Sequence, residues 1–246
     1  MTLLVAVLAV AVAYVVKGVV GFGSVLVSMP VLIWVLPPAD AVLVVTSADL
    51  VGGGVLAWGA RREVPWRVVA LLLVPLLALQ WVGTELLAVL DVRVVRRVLA
   101  VLVGTMALAL LRRPVRPAGW VRPDGGLGAV ALATAGLAGA VAGLCSGLVG
   151  APGPPIVAWV RRFVDDLPGR AAMLWVFFVS STSLVVILLA DHKADAARLG
   201  LAAACVPAAV GGGFVGGQVA RRISPATFGR AVALVLTAAA LGLAVG

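Results

Sequence analysis

The chain has 246 residues, of which 63% are hydrophobic and only 12% charged, and its mean hydropathy is +1.19. A soluble domain carries about 45–50% apolar and about 25% charged residues, so the composition excludes an ordinary soluble fold and predicts an integral membrane protein. The net charge of +9 comes from basic residues clustered between apolar runs, a pattern typical of topology determinants. We therefore expect the lipid bilayer as the surroundings and no nucleic-acid partner.

The residue usage indicates a bacterial plasma (inner) membrane as the location of a multi-pass protein. Almost all basic residues are arginine, and Ala, Val and Gly are abundant, as expected from GC-rich bacterial coding DNA. The first apolar run lacks a basic region before it and a small-residue cleavage site after it, so we expect it to remain in the mature protein. Cys145 and Cys205 both lie in apolar segments, and the sequence gives no support for a disulfide.

Six apolar segments have the length of a spanning helix, which needs about 20 residues. Two further segments, 2–36 and 126–160, are too long for one span and are interrupted by Gly and Pro at 17–24 and 146–155. The six predicted spans are 40–60, 66–90, 94–111, 170–190, 197–220 and 225–245.

Each long segment is either one kinked span or a re-entrant pair of half-helices. If both segments cross once, the counted basic residues divide 9 to 9 between the two sides; if both are re-entrant, they divide 13 to 5. Cytoplasmic loops carry an excess of Lys and Arg, so the asymmetric division is favoured. It predicts two hairpins, with the side bearing 13 charges in the cytoplasm and both termini outside.

The two broken segments resemble each other, which predicts an internal repeat. GVVGFG at 18–23 is echoed by GLVGAPG at 147–153, and MPVLIWV at 29–35 by PPIVAWV at 154–160. With hairpins, each half contains three spans, and an odd number of crossings inverts the second half. We predict an all-α polytopic membrane protein with two inverted repeats, each a broken helix hairpin plus three transmembrane helices, or about eight hydrophobic elements. The expected boundaries are 1–113 for the first repeat, 114–125 for a cytoplasmic linker and 126–246 for the second repeat.

Helix ends inside a membrane expose backbone N–H groups and a positive dipole end, which attract anions. Irregular backbone at that depth is tolerated only where it lines a cavity or is packed in protein, and it is a recurrent feature of secondary transporters. The breaks therefore predict an anion path near the middle of the membrane.

A G-x-x-G-x-G motif, an apolar run with a proline, and a degenerate copy in mid-chain resemble the sulfite exporter TauE/SafE family. The resemblance covers nearly the whole chain and implies movement of small anions, often sulfur-containing ones such as sulfite and organosulfonates. It assigns the family motif to Gly18, Gly21, Gly23, Pro30, Gly147, Gly150, Gly153 and Pro155. The second copy departs from the pattern, because Pro152 and Pro154 stand where further glycines would be expected.

Asp49 is predicted at mid-membrane, where an ionisable residue costs at least about 2.5–3.5 kcal/mol and usually has a partner. It is a candidate ion-coupling residue, with the alternative that it only pairs with Lys17 to hold the fold. Lys17 either binds the anion or extends to the membrane interface.

Polar and small residues around the two breaks are the other candidates for substrate binding. Ser and Thr in membrane helices often bond only their own backbone, and that alternative stays open. Gln80 and Gln218 occupy related places in the third helix of each half and leave the same alternatives open, and we do not assign them to the site. The candidate set is Lys17, Gly18, Gly21, Phe22, Gly23, Ser24, Thr46, Ser47, Ser146, Gly147, Gly150, Gly153, Ser180, Ser181, Thr182 and Ser183.

These features predict a secondary transporter for a small anion, with proton coupling as one option. The alternatives are a passive anion channel and a carrier of a small carboxylate. An enzyme would need a clustered nucleophile and base or a set of metal ligands, and the single histidine, His192, lies in a charged loop. We therefore expect no catalytic residues, metal or cofactor, and we leave a homodimer open.

Overall fold

The structure is a computed structural model, and it describes residues 2–111, 128–190 and 196–220, with Arg222 and Thr237 as single residues. All elements in this part of the chain are helical. The α-helices are α1 (Thr2–Val20), α2 (Ser24–Val35), α3 (Pro38–Ala48), α4 (Gly54–Gly59), α5 (Trp66–Val89), α6 (Val92–Leu111), α7 (Ala129–Val149), α8 (Gly153–Phe163), α9 (Asp166–Ala190) and α10 (Ala196–Ala220), and a short 3-10 helix covers Arg61–Glu63. The predicted linker 114–125, most of the segment 225–245 and His192 lie outside the described residues.

Six described stretches are long and apolar enough to cross a bilayer: Thr2–Val19, Pro38–Gly59, Trp66–Val89, Ala129–Val149, Leu167–Ala190 and Arg198–Val219. The prediction of an all-helical membrane protein is therefore confirmed. The expected spans at 40–60, 66–90, 170–190 and 197–220 coincide with these stretches, and α6 covers the segment 94–111.

Both long apolar segments are broken at the positions that the glycine and proline clusters predicted for the breaks. The chain leaves α1 at Val20 and enters α2 at Ser24, and it leaves α7 at Val149 and enters α8 at Gly153. Gly21 and Gly150 have φ angles of 86° and 69°, in the left-handed region that side chains other than glycine rarely adopt.

The two limbs of each broken segment differ in length. α1 and α7 have 19 and 21 residues, close to the length of about 20 residues that a spanning helix needs. α2 and α8 have only 12 and 11 residues, so neither can cross the bilayer alone. Each broken segment is therefore a long helix followed by a half-helix.

The span at 40–60 contains an interruption that the sequence analysis did not predict. A π-helical turn, Asp49–Gly53, joins α3 to α4 and begins at the one carboxylate expected in mid-membrane. A π-turn inside a helix is rare and frequently lies at a functional site.

Two helix pairs make the most extensive contacts, α5 with α7 and α1 with α10. In both pairs glycines let the backbones touch, as small residues do between membrane helices. A Cβ added at Gly143 would collide with the carbonyl oxygen of Leu76, and one at Gly216 with that of Val15. The broken helix of each predicted half thus packs on the third helix of the other half.

A substitution at Gly143 tests the packing of α5 against α7. We expect Gly143→Leu to destabilise the protein by about 1–3 kcal/mol or more, because the α5 backbone fills the space that the side chain needs. Gly136→Leu, on the same helix but with nothing within 4 Å of its added Cβ, is the matched control. Thermal unfolding in detergent should show a lower Tm for the first variant only. An equal Tm for both would mean that α5 and α7 do not pack this way.

Candidate functional site

The two breaks meet at one narrow cleft. Its walls are residues 23–26 at the start of α2, residues 151–153 at the second break, Asp49 and Phe177 of α9. The remote motifs that the sequence analysis paired by resemblance therefore lie at the same place in the fold. The lining is mainly apolar, and Asp49 supplies an ionisable group.

Two helix N-termini begin at this cleft. No side chain caps the N-terminus of α2 or of α8, whose N-cap residues are Gly23 and Pro152. The first N–H groups of a helix have no partner within the helix, and with the helix dipole they form a site that favours negative charge. The α2 end offers more donors, because Pro154 and Pro155 in the first turn of α8 carry no N–H.

Beside the cleft lies a buried cluster of four side chains, Tyr14, Lys17, Ser24 and Asp49, which we call the Asp49 cluster. Oδ1 of Asp49 accepts from Lys17 Nζ at 2.8 Å, from Ser24 Oγ at 2.9 Å and from the Tyr14 hydroxyl. Lys17 is 1% exposed and Asp49 3% exposed. Opposite charges in contact leave the cluster without net charge while both groups are ionised.

The sequence explains why these side chains can meet. Tyr14 and Lys17 are three residues apart on α1 and therefore share one face of the helix. The glycines of the π-turn leave room for them: a Cβ at Gly52 would lie 2.6 Å from the Tyr14 ring, and one at Gly53 would lie 3.2 Å from Lys17 Nζ. The run VGGG at 51–54 thus gives α1 its close approach to Asp49.

A second buried cluster, Gln80, Ser146 and Ser180, carries no charge, and we call it the Gln80 cluster. Nε2 of Gln80 donates to Ser146 Oγ at 2.8 Å and to the Ser180 carbonyl oxygen at 2.9 Å. The two serine hydroxyls are 2.9 Å apart. Oε1 of Gln80 is buried and has no hydrogen-bond partner in the described part of the chain.

The remaining candidates fall into several groups. Thr46 and Thr182 donate to their own helices, to Val42 O at 2.7 Å and Phe178 O at 2.8 Å, which is the structural alternative for these residues. Phe22 is in the apolar core. Ser181 is buried, whereas Ser47 and Ser183 are partly exposed.

The candidate glycines divide between packing, turning and lining the cleft. Gly18 and Gly147 pack against the backbones of α10 and α5. Gly21 and Gly150 turn the chain at the breaks, and Gly23 and Gly153 line the cleft.

Tyr14 and Gln80 are the functional candidates that the sequence analysis left out of its site. Tyr14 is the one tyrosine of the chain, and it lies one helical turn before Lys17, which is a usable signal. Gln80 was noted as a polar residue in an apolar helix, but its partners Ser146 and Ser180 are 66 and 100 residues away. The alternative that Lys17 extends to the membrane interface does not agree with its burial.

Comparison with known proteins agrees with this architecture. The family model described as "Sulfite exporter TauE/SafE" matches residues 6–243, which include both breaks and both clusters. A curated protein of Cupriavidus necator, "Probable sulfite/organosulfonate exporter TauE", is 27% identical over 214 residues, covering 86% of this chain and 81% of that protein. No solved structure matches the chain. This multi-pass protein of the bacterial inner membrane therefore belongs to the sulfite exporter TauE/SafE family.

Proposed function

We propose that the protein is a secondary transporter that moves a small sulfur-containing anion, sulfite or an organosulfonate, through the cleft between the two breaks. The observation that carries the proposal is the meeting of two uncapped helix N-termini at one cleft. The family supports the class of substrate, since the Cupriavidus relative is named as a probable exporter of sulfite or organosulfonate.

The chemistry of the cleft suits an oxyanion. Oxygen atoms of sulfite or a sulfonate accept hydrogen bonds, and the N–H groups at the start of α2 donate them. The apolar lining lowers the local dielectric, so each such contact is stronger than it would be in water. Because Lys17 neutralises Asp49, the carboxylate at the cleft does not repel the anion as an unpaired charge would.

The Asp49 cluster suggests how a proton could be coupled to the anion. Protonation of Asp49 removes the negative partner of Lys17 and leaves a buried cation beside the cleft. An unpaired buried charge is costly, and a bound anion would compensate it. Proton and anion would then favour each other's binding, and the direction of transport would follow from both gradients.

We also propose that the fold consists of two inverted repeats, with a first repeat at 1–113 and a second at 126–246 joined by the linker 114–125. Backbone contacts at glycines support this division. Gly147 abuts Gln80 O and Gly83 abuts Leu144 O; Gly18 abuts Gly213 O and Gly216 abuts Val15 O. Adding 129 to positions 15 and 18 gives 144 and 147, and adding 133 to positions 80 and 83 gives 213 and 216. The contacts of α1 with α10 therefore involve the same repeat positions as the contacts of α7 with α5.

The offset of 129 also relates one residue of each polar cluster. Lys17 corresponds to Ser146, and Asp49 lies on the helix that corresponds to α9, which carries Ser180. The Lys17–Asp49 contact thus has an uncharged counterpart in the contact between Ser146 and Ser180. On this proposal, charge-coupled chemistry belongs to the first repeat, and the second repeat supplies a neutral polar wall.

Two other functions remain as outcomes of experiment, a passive anion channel and a carrier of a small carboxylate. The buried charged pair beside the cleft favours a carrier over a channel, because a passive pore has no need of an ionisable pair to couple gradients.

Transport by the purified protein tests the proposed function. In proteoliposomes we expect saturable uptake of radiolabelled sulfite, with competition by thiosulfate or sulfoacetate and little competition by acetate or lactate. Initial rates measured against concentration give the KM and Vmax. Uptake that rises without saturation would favour the channel, and stronger competition by the carboxylates than by the sulfur anions would favour the carboxylate carrier.

Substitution of Asp49 tests coupling. We expect Asp49→Asn to lose stimulation of sulfite uptake by an imposed proton gradient and to lower the Tm, because it leaves Lys17 as an unpaired buried cation, a change that typically costs about 3–5 kcal/mol. Sulfite should raise the Tm of Asp49→Asn by more than it raises the Tm of the wild type. Asp40→Asn, which removes a carboxylate paired with Arg198 at 3.1 Å, is the control on the same apolar span.

The double variant Asp49→Asn with Lys17→Met separates coupling from stability. If Asp49 couples the proton, the double variant should recover the Tm but not the response to the gradient. Recovery of both would show that the pair serves only to hold the fold.

The inverted arrangement can be tested by cysteine labelling with a membrane-impermeant thiol reagent. We expect Arg62→Cys and Leu167→Cys to label from the cytoplasmic side and Asp91→Cys from the outside; all three positions are exposed, whereas the native cysteines are buried. Labelling of position 167 from the outside would mean that α7 and α8 cross the membrane together, and the second hairpin would be wrong.

A further inference from the structure

Arg170, near the start of α9, is a cation that belongs to neither cluster. Its Nη2 donates to the carbonyl oxygen of Gly18 at 2.9 Å. Its Nε is buried and has no acceptor among the described residues. A charged donor that is shielded from water and lacks a partner indicates a place for a hydrogen-bond acceptor.

The side chain of Arg170 lies over the first break. A Cβ at Gly21 would be 2.8 Å from Arg170 Cγ and 3.4 Å from Arg170 Nε. Gly21 therefore allows the turn and also leaves room for the guanidinium. Gly23, two residues further along the chain, lines the cleft.

Arg170 is also aligned with the cleft along α9. Phe177, which lines the cleft, follows Arg170 by seven residues, about two helical turns, and therefore lies on the same face about 10 Å further along the axis. This face of α9 therefore runs from Arg170 to the cleft.

Three other cations of the described helices have partners of their own. Lys17 pairs with Asp49 at 2.8 Å, and Arg198 lies 3.1 Å from Asp40. The Nε of Arg96 is likewise buried without a hydrogen-bond partner among the described residues, but its guanidinium is stacked 4.6 Å from the centre of the Trp34 ring. Arg170 makes no ion pair or ring contact within the described residues, so its positive charge at the break is not offset.

We propose that Arg170 binds the oxyanion before it enters the cleft and is a specificity-determining residue of the transporter. The proposal rests on the proposed function and deepens it. The planar guanidinium presents N–H donors in a fixed geometry that matches the oxygens of sulfite or a sulfonate. The hydrogen bond to Gly18 O holds this group beside the break while Nε donates to the anion.

Three variants test Arg170 by the KM for sulfite and the Tm rise that sulfite produces. Arg170→Gln keeps an amide that can donate to Gly18 O but removes the charge; Arg170→Lys keeps the charge without the planar donors. Arg93→Gln removes a cation whose side chain is 87% exposed and serves as the control. Because Arg170→Gln removes a charged hydrogen-bond donor to the anion, we expect it to raise the KM for sulfite about tenfold or more.

Arg170→Lys should give an intermediate KM, Arg93→Gln a wild-type KM, and sulfite should raise the Tm of Arg170→Gln less than that of the wild type. The proposal would be overturned if Arg170→Gln lowered the Tm or the Vmax but left the KM and the sulfite-induced Tm rise unchanged. That result would show that Arg170 only caps α1. An increase in KM confined to liposomes with anionic lipid would also overturn it, because the arginine would then bind a headgroup.

Failure of this proposal can be told from failure of the proposed function. A wild-type protein that transports sulfite with a KM indifferent to Arg170 contradicts the arginine alone. A wild-type protein whose Tm and transport both ignore sulfur anions contradicts both proposals.

Discussion

The ion pair between Lys17 and Asp49 is the interaction on which the rest of the site depends. Each charge is buried at a depth where an isolated ion would cost several kcal/mol, so neither residue is tolerable there without the other. The pair ties the end of α1 to the π-turn after α3. Ser24, the first residue of α2, donates to the same oxygen of Asp49 and thereby holds the start of the half-helix against that turn.

The cleft follows from this constraint. With the start of α2 fixed at Asp49, its uncapped N-terminus faces the second break, where α8 begins. The helix pairs α1 with α10 and α5 with α7 hold the two broken helices in place by backbone contacts at glycines. Of the two buried clusters, only the Asp49 cluster beside the cleft carries charge, whereas Gln80, Ser146 and Ser180 form a neutral cluster.

The features that could be predicted from the sequence are those with a local signal. Glycine and proline clusters inside long apolar runs indicated the breaks, and a single carboxylate in an apolar helix indicated Asp49. The π-turn was missed because its cause is a tertiary one: the VGGG run makes room for Tyr14 and Lys17 from another helix. Ser146 and Ser180 were candidates from the sequence, but their hydrogen bonds to Gln80 were missed for the same reason, since no periodicity links Gln80 to serines 66 and 100 residues away.

The central claim is that an oxyanion binds in the cleft at the start of α2, and a structure with a heavier analogue of sulfite tests it most directly. Crystals grown with selenite would reveal the selenium atom by its anomalous scattering. We expect one peak in the cleft, with selenite oxygens within hydrogen-bonding distance of the N–H groups of residues 24–26. A peak elsewhere, or an empty cleft at a selenite concentration that inhibits sulfite transport, would contradict this account.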